Sequence, residues 1–292
     1  MAQSSQPREL RFSVNGMNFA AQEWGDSSQL PVIALHGWLD NSASFFALAP
    51  LLNNLHVIAL DMAGHGRSDH RPGQMAYTPL DDINDIFAIA DHFGWDRFVL
   101  LGHSRGAIIG TLAAGTFPER IIALALVDGF LPEPFNADDA PKQLASSIVG
   151  LRAQQKKSPS IYSSMELAIK ARERGMFPLG HEAAKALTER GVAAVAAGYS
   201  WSTDPRLLAP PMVKWPREYL QAFVNHISAP IKLLLASEGL LKIYANSLPE
   251  IESFLNVDYE VLPGGHHLHM EREASLVAEK LNVFFSRFYL GE

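Results

Sequence analysis

Short apolar runs alternating with helical patterns constrain this chain more than any other feature. Residues 31–35 (PVIAL), 56–60 (HVIAL), 97–101 (RFVLL) and 121–127 (IIALALV) are continuous, not alternating, in their apolar character. A run of that length without a polar face suits a strand buried on both sides, which is the state of strands in a parallel sheet covered by helices. Helical patterns over 44–52, 80–93 and 107–116 fill the gaps. Strand and helix in regular order predict an α/β fold with a mostly parallel sheet. Ahead of it, residues 10–14 and 18–24 predict a hairpin turning at Asn15-Gly16.

The rhythm changes after Asp128. From 131 to 216 no strand is predicted. Helices are expected over 142–154, 164–173, 182–191 and 192–197, punctuated by Pro132, Pro134, Pro141, Pro205, Pro210, Pro211 and Pro216. Strands resume at 231–235 and 258–262, and a helix over 274–288 closes the chain. The expected organisation is a core made of residues 1–130 and 217–292. An inserted helical cap, 131–216, would sit over the carboxyl ends of the strands, where such sheets bind ligands.

Gly102-His103-Ser104-Arg105-Gly106 carries the strongest chemical signal. A G-x-S-x-G pattern that follows a strand and opens a helix is the context of a nucleophile elbow. Gly102 and Gly106 leave room where a β-carbon would collide, and the helix amino terminus favours negative charge beside Ser104. A second signal, His36-Gly37-Trp38, ends the strand at 31–35. Acyl transfer builds negative charge on a carbonyl oxygen, which rigid amide donors must meet. The expected oxyanion donors are the N–H groups of Trp38 and Arg105, with His36 and Gly37 supporting the loop.

A third signal follows the last strand: Pro263-Gly264-Gly265-His266-His267-Leu268-His269. A loop histidine there can take the proton of Ser104. His266 is preferred over His267 and His269 because it directly follows the glycines. Clustered histidines also bind metals, but no carboxylate or cysteine set stands near them at a familiar ligand spacing, so no metal is expected. A fourth segment, Asp61 to Ser68, is rich in glycine and reads as a structural loop, with no chemical role for Asp61 or His65.

In this order, His-Gly, Asp-x-x-Gly-x-Gly-x-Ser, Gly-x-Ser-x-Gly and a final Gly-His resemble the α/β-hydrolase superfamily. The likeness spans nearly the whole chain outside 131–216. His36 to Asn41 followed by Ser44-Phe45, with His266-x-x-His269-Met270, is similar to the serine hydrolase-like proteins. The third triad member departs from the common pattern. Many superfamily members carry Gly-x-x-Asp after the next-to-last strand, whereas this chain reads Ala236-Ser237-Glu238-Gly239. Asp128, at the end of the strand 121–127, is the preferred acid. Glu238 is the alternative, and both keep the order serine, acid, histidine.

The expected activity is serine-dependent hydrolysis of a small to medium carboxylic ester through an acyl-enzyme. Carbon–carbon bond hydrolysis, perhydrolysis and ligand reception without turnover are the alternatives on the same site. No cofactor is expected, since neither a Rossmann glycine pattern nor a P-loop is present. A formal net charge of −7 without a basic run argues against a nucleic-acid partner. The absence of cysteine excludes disulfides and thiolate chemistry and fits a cytoplasmic protein. Residues 1–10 hold no apolar core of a secretory signal. No stretch reaches the roughly 18 apolar residues of a membrane span, so no membrane partner is expected.

Overall fold

The computed structural model describes residues 6–243, 247–253 and 257–289. The amino-terminal segment read above as lacking a leader lies outside them over residues 1–5. The strands are β1 (Arg8–Val14), β2 (Met17–Trp24), β3 (Leu30–Leu35), β4 (Leu55–Leu60), β5 (Phe98–His103), β6 (Ile121–Val127), β7 (Val192–Val195), β8 (Gly198–Trp201), β9 (Ile231–Glu238) and β10 (Val257–Gly265). The helices are α1 (Pro79–His92), α2 (Arg105–Thr116), α3 (Ala140–Lys156), α4 (Met165–Glu173), α5 (His181–Gly191), α6 (Arg217–His226), α7 (Leu240–Ile243), α8 (Ser247–Glu252) and α9 (Ala274–Phe285).

Eight strands form one sheet in the order β1-β2-β4-β3-β5-β6-β9-β10. β1 and β2 pair antiparallel, as do β2 and β4, and every later pair is parallel. The turn from β1 to β2 places Asn15 at φ 53° and Gly16 at φ 75°. Two successive left-handed residues match the right-handed twist of the flanking strands. β4 and β5 are buried along their whole length. Each face of the sheet packs its own apolar cluster, one centred on Ile33, Ile58, Leu100 and Leu126, the other on Val32, Val57, Val99 and Leu234. The α/β fold read from the alternation is the observed one.

Helix starts follow the capping rules. Thr78 accepts a hydrogen bond from the N–H of Asp81, and Pro79 occupies the first turn of α1, where its missing N–H costs nothing. Among the described residues, no helix is long and apolar enough to cross a membrane.

Two expectations are overturned. Residues 44–52 do not form a helix; two short 3-10 turns, Ser42–Phe45 and Ala49–Leu51, take their place. Pro50 in the second turn cannot donate to a preceding carbonyl, and Asn41 caps the first turn by accepting from the N–H of Ala43 at 3.1 Å. Residues 192–197 are not helical either. β7 and β8 form an antiparallel hairpin, so the 131–216 stretch does contain strands. Its alanines favour a helix, but a piece this short cannot repay helix nucleation. Pairing of Tyr162 with Tyr199, through two hydrogen bonds of 2.8 Å, extends the hairpin instead. The closing helix stops at Phe285 and tightens into a 3-10 turn over Ser286–Phe288.

The 131–216 stretch is attached to the loops that follow β3 and β4, at the carboxyl edge of the sheet. The Trp38 indole N–H donates to the Leu207 carbonyl and the Asn41 amide to the Leu187 carbonyl, each at 2.9 Å. Arg190 pairs with Asp61 at 2.9 Å, and the Tyr77 hydroxyl donates to Asp204 at 2.8 Å.

Candidate active site

Ser104 sits between β5 and α2 at φ 53° and ψ −115°. A non-glycine residue in that region is strained, and such strain collects at functional sites. The turn exists because its neighbours lack side chains. A β-carbon on Gly102 would lie 2.5 Å from the Gly106 carbonyl oxygen, and one on Gly106 would lie 2.1 Å from the Leu35 carbonyl oxygen. The Ser104 hydroxyl makes no capping bond to α2 and is left for other partners.

That partner is His266. Its Nε2 lies 2.9 Å from Ser104 Oγ, and its Nδ1 lies 2.6 Å from Asp128 Oδ2. Asp128 is fully buried at the end of β6, at φ 43°. Its carboxylate accepts from the N–H groups of Ala236 at 2.9 Å and Leu240 at 3.0 Å. Three donors around one carboxylate fix its orientation and satisfy the charge without solvent. Glu238, the alternative acid, is exposed and pairs with Lys242. Strands β5, β6 and β10 thus bring Ser104, Asp128 and His266 together.

His36 donates from Nδ1 to the Gly37 carbonyl at 2.7 Å, which leaves Nε2 to accept from the N–H of Met62 at 3.1 Å. It therefore joins the loop after β3 to the loop after β4, and burial pushes its pKa down. Leu39, at φ 62°, completes the tight turn after Trp38. Trp38 and Arg105 line the same cavity as Ser104. Arg105 is the first residue of α2, so its N–H has no acceptor within the helix. Asp61 accepts from the N–H groups of Ser42 and Arg67, each at 2.8 Å, as well as from Arg190, and His65 packs on His36.

The other histidines have different partners. His267 donates from Nε2 to Asp40 at 3.2 Å, and His269 bonds Ser44 at 2.8 Å. His103 donates from Nε2 to the His266 carbonyl at 2.9 Å and so braces the backbone at His266. Burial pushes the His269 pKa down to about 3 and that of His103 well below the ordinary value.

Asp40 is the residue that sequence reasoning missed. It accepts from Arg172 of α4 at 2.7 Å, besides His267. Burial works against its ionisation, but His267 and Arg172 outweigh it and hold the carboxyl well below the usual range. Asp40, His103 and His267 bring three possible ligand atoms within 4.8 Å of one another. The sequence reading placed no carboxylate near the histidines, and the fold supplies one. Arg172 already neutralises it, however, and a guanidinium so close opposes a second cation. Phe177, just beyond α4, lays its ring on the His266 imidazole with centroids 3.9 Å apart. Asp40 stands inside the His36-to-Asn41 segment.

The cavity in front of Ser104 has a volume of about 1150 Å³. Ligand pockets for drug-sized molecules usually span roughly 300–1,000 Å³, so this one is large.

These features place the chain in a known class. The sequence pattern of the alpha/beta hydrolase fold family matches residues 31–273, and the chain belongs to that family. Within it, the chain is similar to serine hydrolase-like proteins. Serine hydrolase-like protein 2 of Homo sapiens is 30% identical over an alignment of 294 positions, gaps included, that covers 94% of this chain and 93% of the relative. The serine hydrolase-like protein of Danio rerio is 28% identical over 273 residues, covering 90% and 83%. Among solved structures, a hypothetical protein from Pseudomonas aeruginosa PAO1 superposes with a TM-score of 0.92 at 42% identity, covering 96% of this chain and 99% of that one. A thioesterase domain from the curacin biosynthetic pathway superposes with a TM-score of 0.82 at 24% identity, over 94% and 99%, a likeness of fold alone. The chain is an α/β hydrolase.

Proposed function

We propose that the protein hydrolyses a carboxylic ester through an acyl-enzyme. The observation that carries this reading is the hydrogen-bonded chain from Ser104 through His266 to Asp128, with contacts of 2.9 and 2.6 Å. Ser104 Oγ attacks the ester carbonyl while its proton passes to His266 Nε2. The carbonyl oxygen becomes an oxyanion held by the amides of Trp38 and Arg105. The bond to the alcohol oxygen then breaks, and the proton on His266 moves to that oxygen. Water attacks the acyl group with His266 as base, releasing the carboxylic acid and restoring Ser104. Asp128 holds the tautomer of His266 and balances the imidazolium. The 131–216 stretch forms the roof of the substrate pocket in this reading.

The names of the serine hydrolase-like relatives support a serine nucleophile. The test is covalent labelling by a fluorophosphonate probe beside a panel of p-nitrophenyl esters of increasing chain length. The wild type is expected to be labelled and to turn over at least one ester, and Ser104→Ala to do neither. Equal labelling of Ser104→Ala removes this serine from the mechanism. Labelling without turnover of any ester turns the reading toward ligand reception or another bond type.

A further inference from the structure

We infer that Asp40 is a positioning residue for the reaction: its backbone closes the turn that presents the Trp38 amide, its carboxylate holds the loop that carries His266, and this one buried residue fixes the two halves of the site relative to each other. The inference rests on the reading of Ser104 as a nucleophile served by His266.

The first half is built by backbone. The N–H of Asp40 donates to the Gly37 carbonyl at 3.2 Å and closes a four-residue turn with Trp38 and Leu39 at its centre. Leu39, at φ 62°, supplies the positive φ that the third position of a type II turn requires. A leucine in that conformation is strained and persists only where its surroundings enforce it. His36 bonds the same Gly37 carbonyl at 2.7 Å. The hydrogen bond that closes the turn does not use the N–H of Trp38, so that amide is left for an oxyanion.

The second half is built by the side chain. Asp40 Oδ2 accepts from Nε2 of His267, the residue that follows His266, at 3.2 Å. His103, whose Nε2 donates to the His266 carbonyl, packs beside the same oxygen with its Nδ1 3.8 Å away. Gly37 makes this approach possible. A β-carbon there would lie 2.9 Å from His103 Nδ1 and 3.1 Å from Asp40 Oδ2. The glycine read in the sequence as loop support is therefore the space in which Asp40 and His103 meet. Asp40 Oδ1 accepts from Arg172 at 2.7 Å, so both oxygens are held.

The sheet alone does not fix this distance. Trp38 follows β3 and His266 follows β10, and strands β5, β6 and β9 stand between the two. Acyl transfer needs the oxyanion donor and the imidazole placed on one carbonyl group, and a displacement of about 1 Å can cost about a hundredfold in rate. Asp128 fixes His266 from the end of β6. Asp40 reaches the neighbouring residue from the loop after β3 and so ties the imidazole loop to the oxyanion turn directly.

The test uses the full chain and the second-order rate of fluorophosphonate labelling, which requires Ser104 and His266 but no ester. Asp40→Ala is expected to be labelled about thirtyfold more slowly than the wild type, and His267→Ala about tenfold more slowly. The double variant should stay within about twofold of Asp40→Ala, since both changes break one connection. Asp204→Asn removes another buried carboxylate, one that holds the 131–216 stretch to Tyr77 and touches neither loop. It should lower the melting temperature and leave the labelling rate within about twofold of the wild type. Thermal melting shows which variants are folded. Should Asp40→Ala not fold, Asp40→Asn takes its place: it keeps the volume but offers one acceptor oxygen instead of two, and should be labelled about fivefold more slowly. A folded Asp40 variant labelled at the wild-type rate overturns the inference. So do losses that multiply in the double variant, or an equal slowing by Asp204→Asn. A wild type that takes no label overturns the nucleophile reading instead, which is a separate result.

Discussion

A β-carbon placed on Gly239 would lie 2.1 Å from Oδ2 of Asp128. The two residues compete for one space. Gly239 stands where the common pattern of this fold carries its acid after the next-to-last strand. In this chain the carboxylate enters instead from the end of β6 and fills the room that the glycine leaves empty. The loop that begins at Gly239 also serves the carboxylate, because the N–H of Leu240 donates to it at 3.0 Å. Gly129, next to Asp128 in the chain, meets a different neighbour: a β-carbon there would lie 2.6 Å from the Ser104 carbonyl oxygen. A carboxylate that reaches His266 from the end of β6 therefore requires a glycine at 239. What reads in the sequence as a missing aspartate and a flexible turn is a steric requirement of Asp128.

Gly239→Ala is expected to push the carboxylate off His266. Overpacking of this kind costs about 1–3 kcal/mol of stability, and turnover should fall on the order of a hundredfold as the imidazole loses its fixed partner. Thermal melting and ester turnover on one preparation check both. A Gly239→Ala variant with wild-type turnover would show that the loop yields and the contact is without consequence.

Asp128→Asn should lower kcat by about 10⁴, because an amide stabilises the wrong imidazole tautomer. Glu238→Gln should stay within about twofold of the wild type, since its exposed carboxylate faces Lys242. His266→Ala should cost about a thousandfold or more, and His267→Ala much less. If Glu238→Gln is the inactive variant, the acid has been assigned to the wrong strand.

The sheet was readable because its strands are continuous apolar runs, such as 32–35 and 98–101, which the structure buries throughout. The elbow was readable because Gly102 and Gly106 are local requirements of Ser104. Asp40 was not, because its partners Arg172 and His267 are distant in the chain and a lone aspartate carries no pattern. The β7–β8 hairpin was hidden for a related reason. Val192 to Val195 has no strand alternation, and only pairing across to Gly198–Trp201 and Tyr162 makes it extended. The 44–52 region misled because its apolar spacing is helical, while Asn41 and Pro50 restrict it to single turns.

Arg172→Met removes the cation that joins α4 to Asp40. A buried carboxylate left without its partner is destabilising, by about 3 kcal/mol at a site such as this one, where Asp40 is 2% exposed. KM should rise more than kcat falls, because the 131–216 stretch loses an attachment while Ser104, His266 and Asp128 keep theirs. Asp40→Asn added to Arg172→Met should recover part of the stability, since it removes the orphaned charge. Urea unfolding of the two single variants and the double variant forms the cycle. Strict additivity of the two losses would mean that the pair does not couple α4 to the loop after β3.

Stability should fall steeply on the acid side, and histidines should set where it begins. His36, His65, His103, His267 and His269 are buried, and burial lowers the pKa of each. In the unfolded chain each returns to about 6.5. Below that value the unfolded state binds protons that the folded state refuses, so stability falls as pH falls. The loss begins near pH 6.5 and continues down to the folded values, about 3 for His269. Each group contributes up to about 1.4 kcal/mol per pH unit, and the five together up to about 7. His181, exposed beside Glu173, has a raised pKa and works the other way, but solvent screens it. Asp40, whose pKa is lowered, adds its own loss only below about pH 4, where the unfolded carboxyl takes up a proton. Urea unfolding between pH 8 and pH 5 measures the slope. It should be shallow above pH 7 and steepest between roughly 6 and 5, and His269→Gln should reduce it by about one proton. A free energy of unfolding that stays level from pH 7.5 to pH 5 would show that these imidazoles gain protons within the folded state.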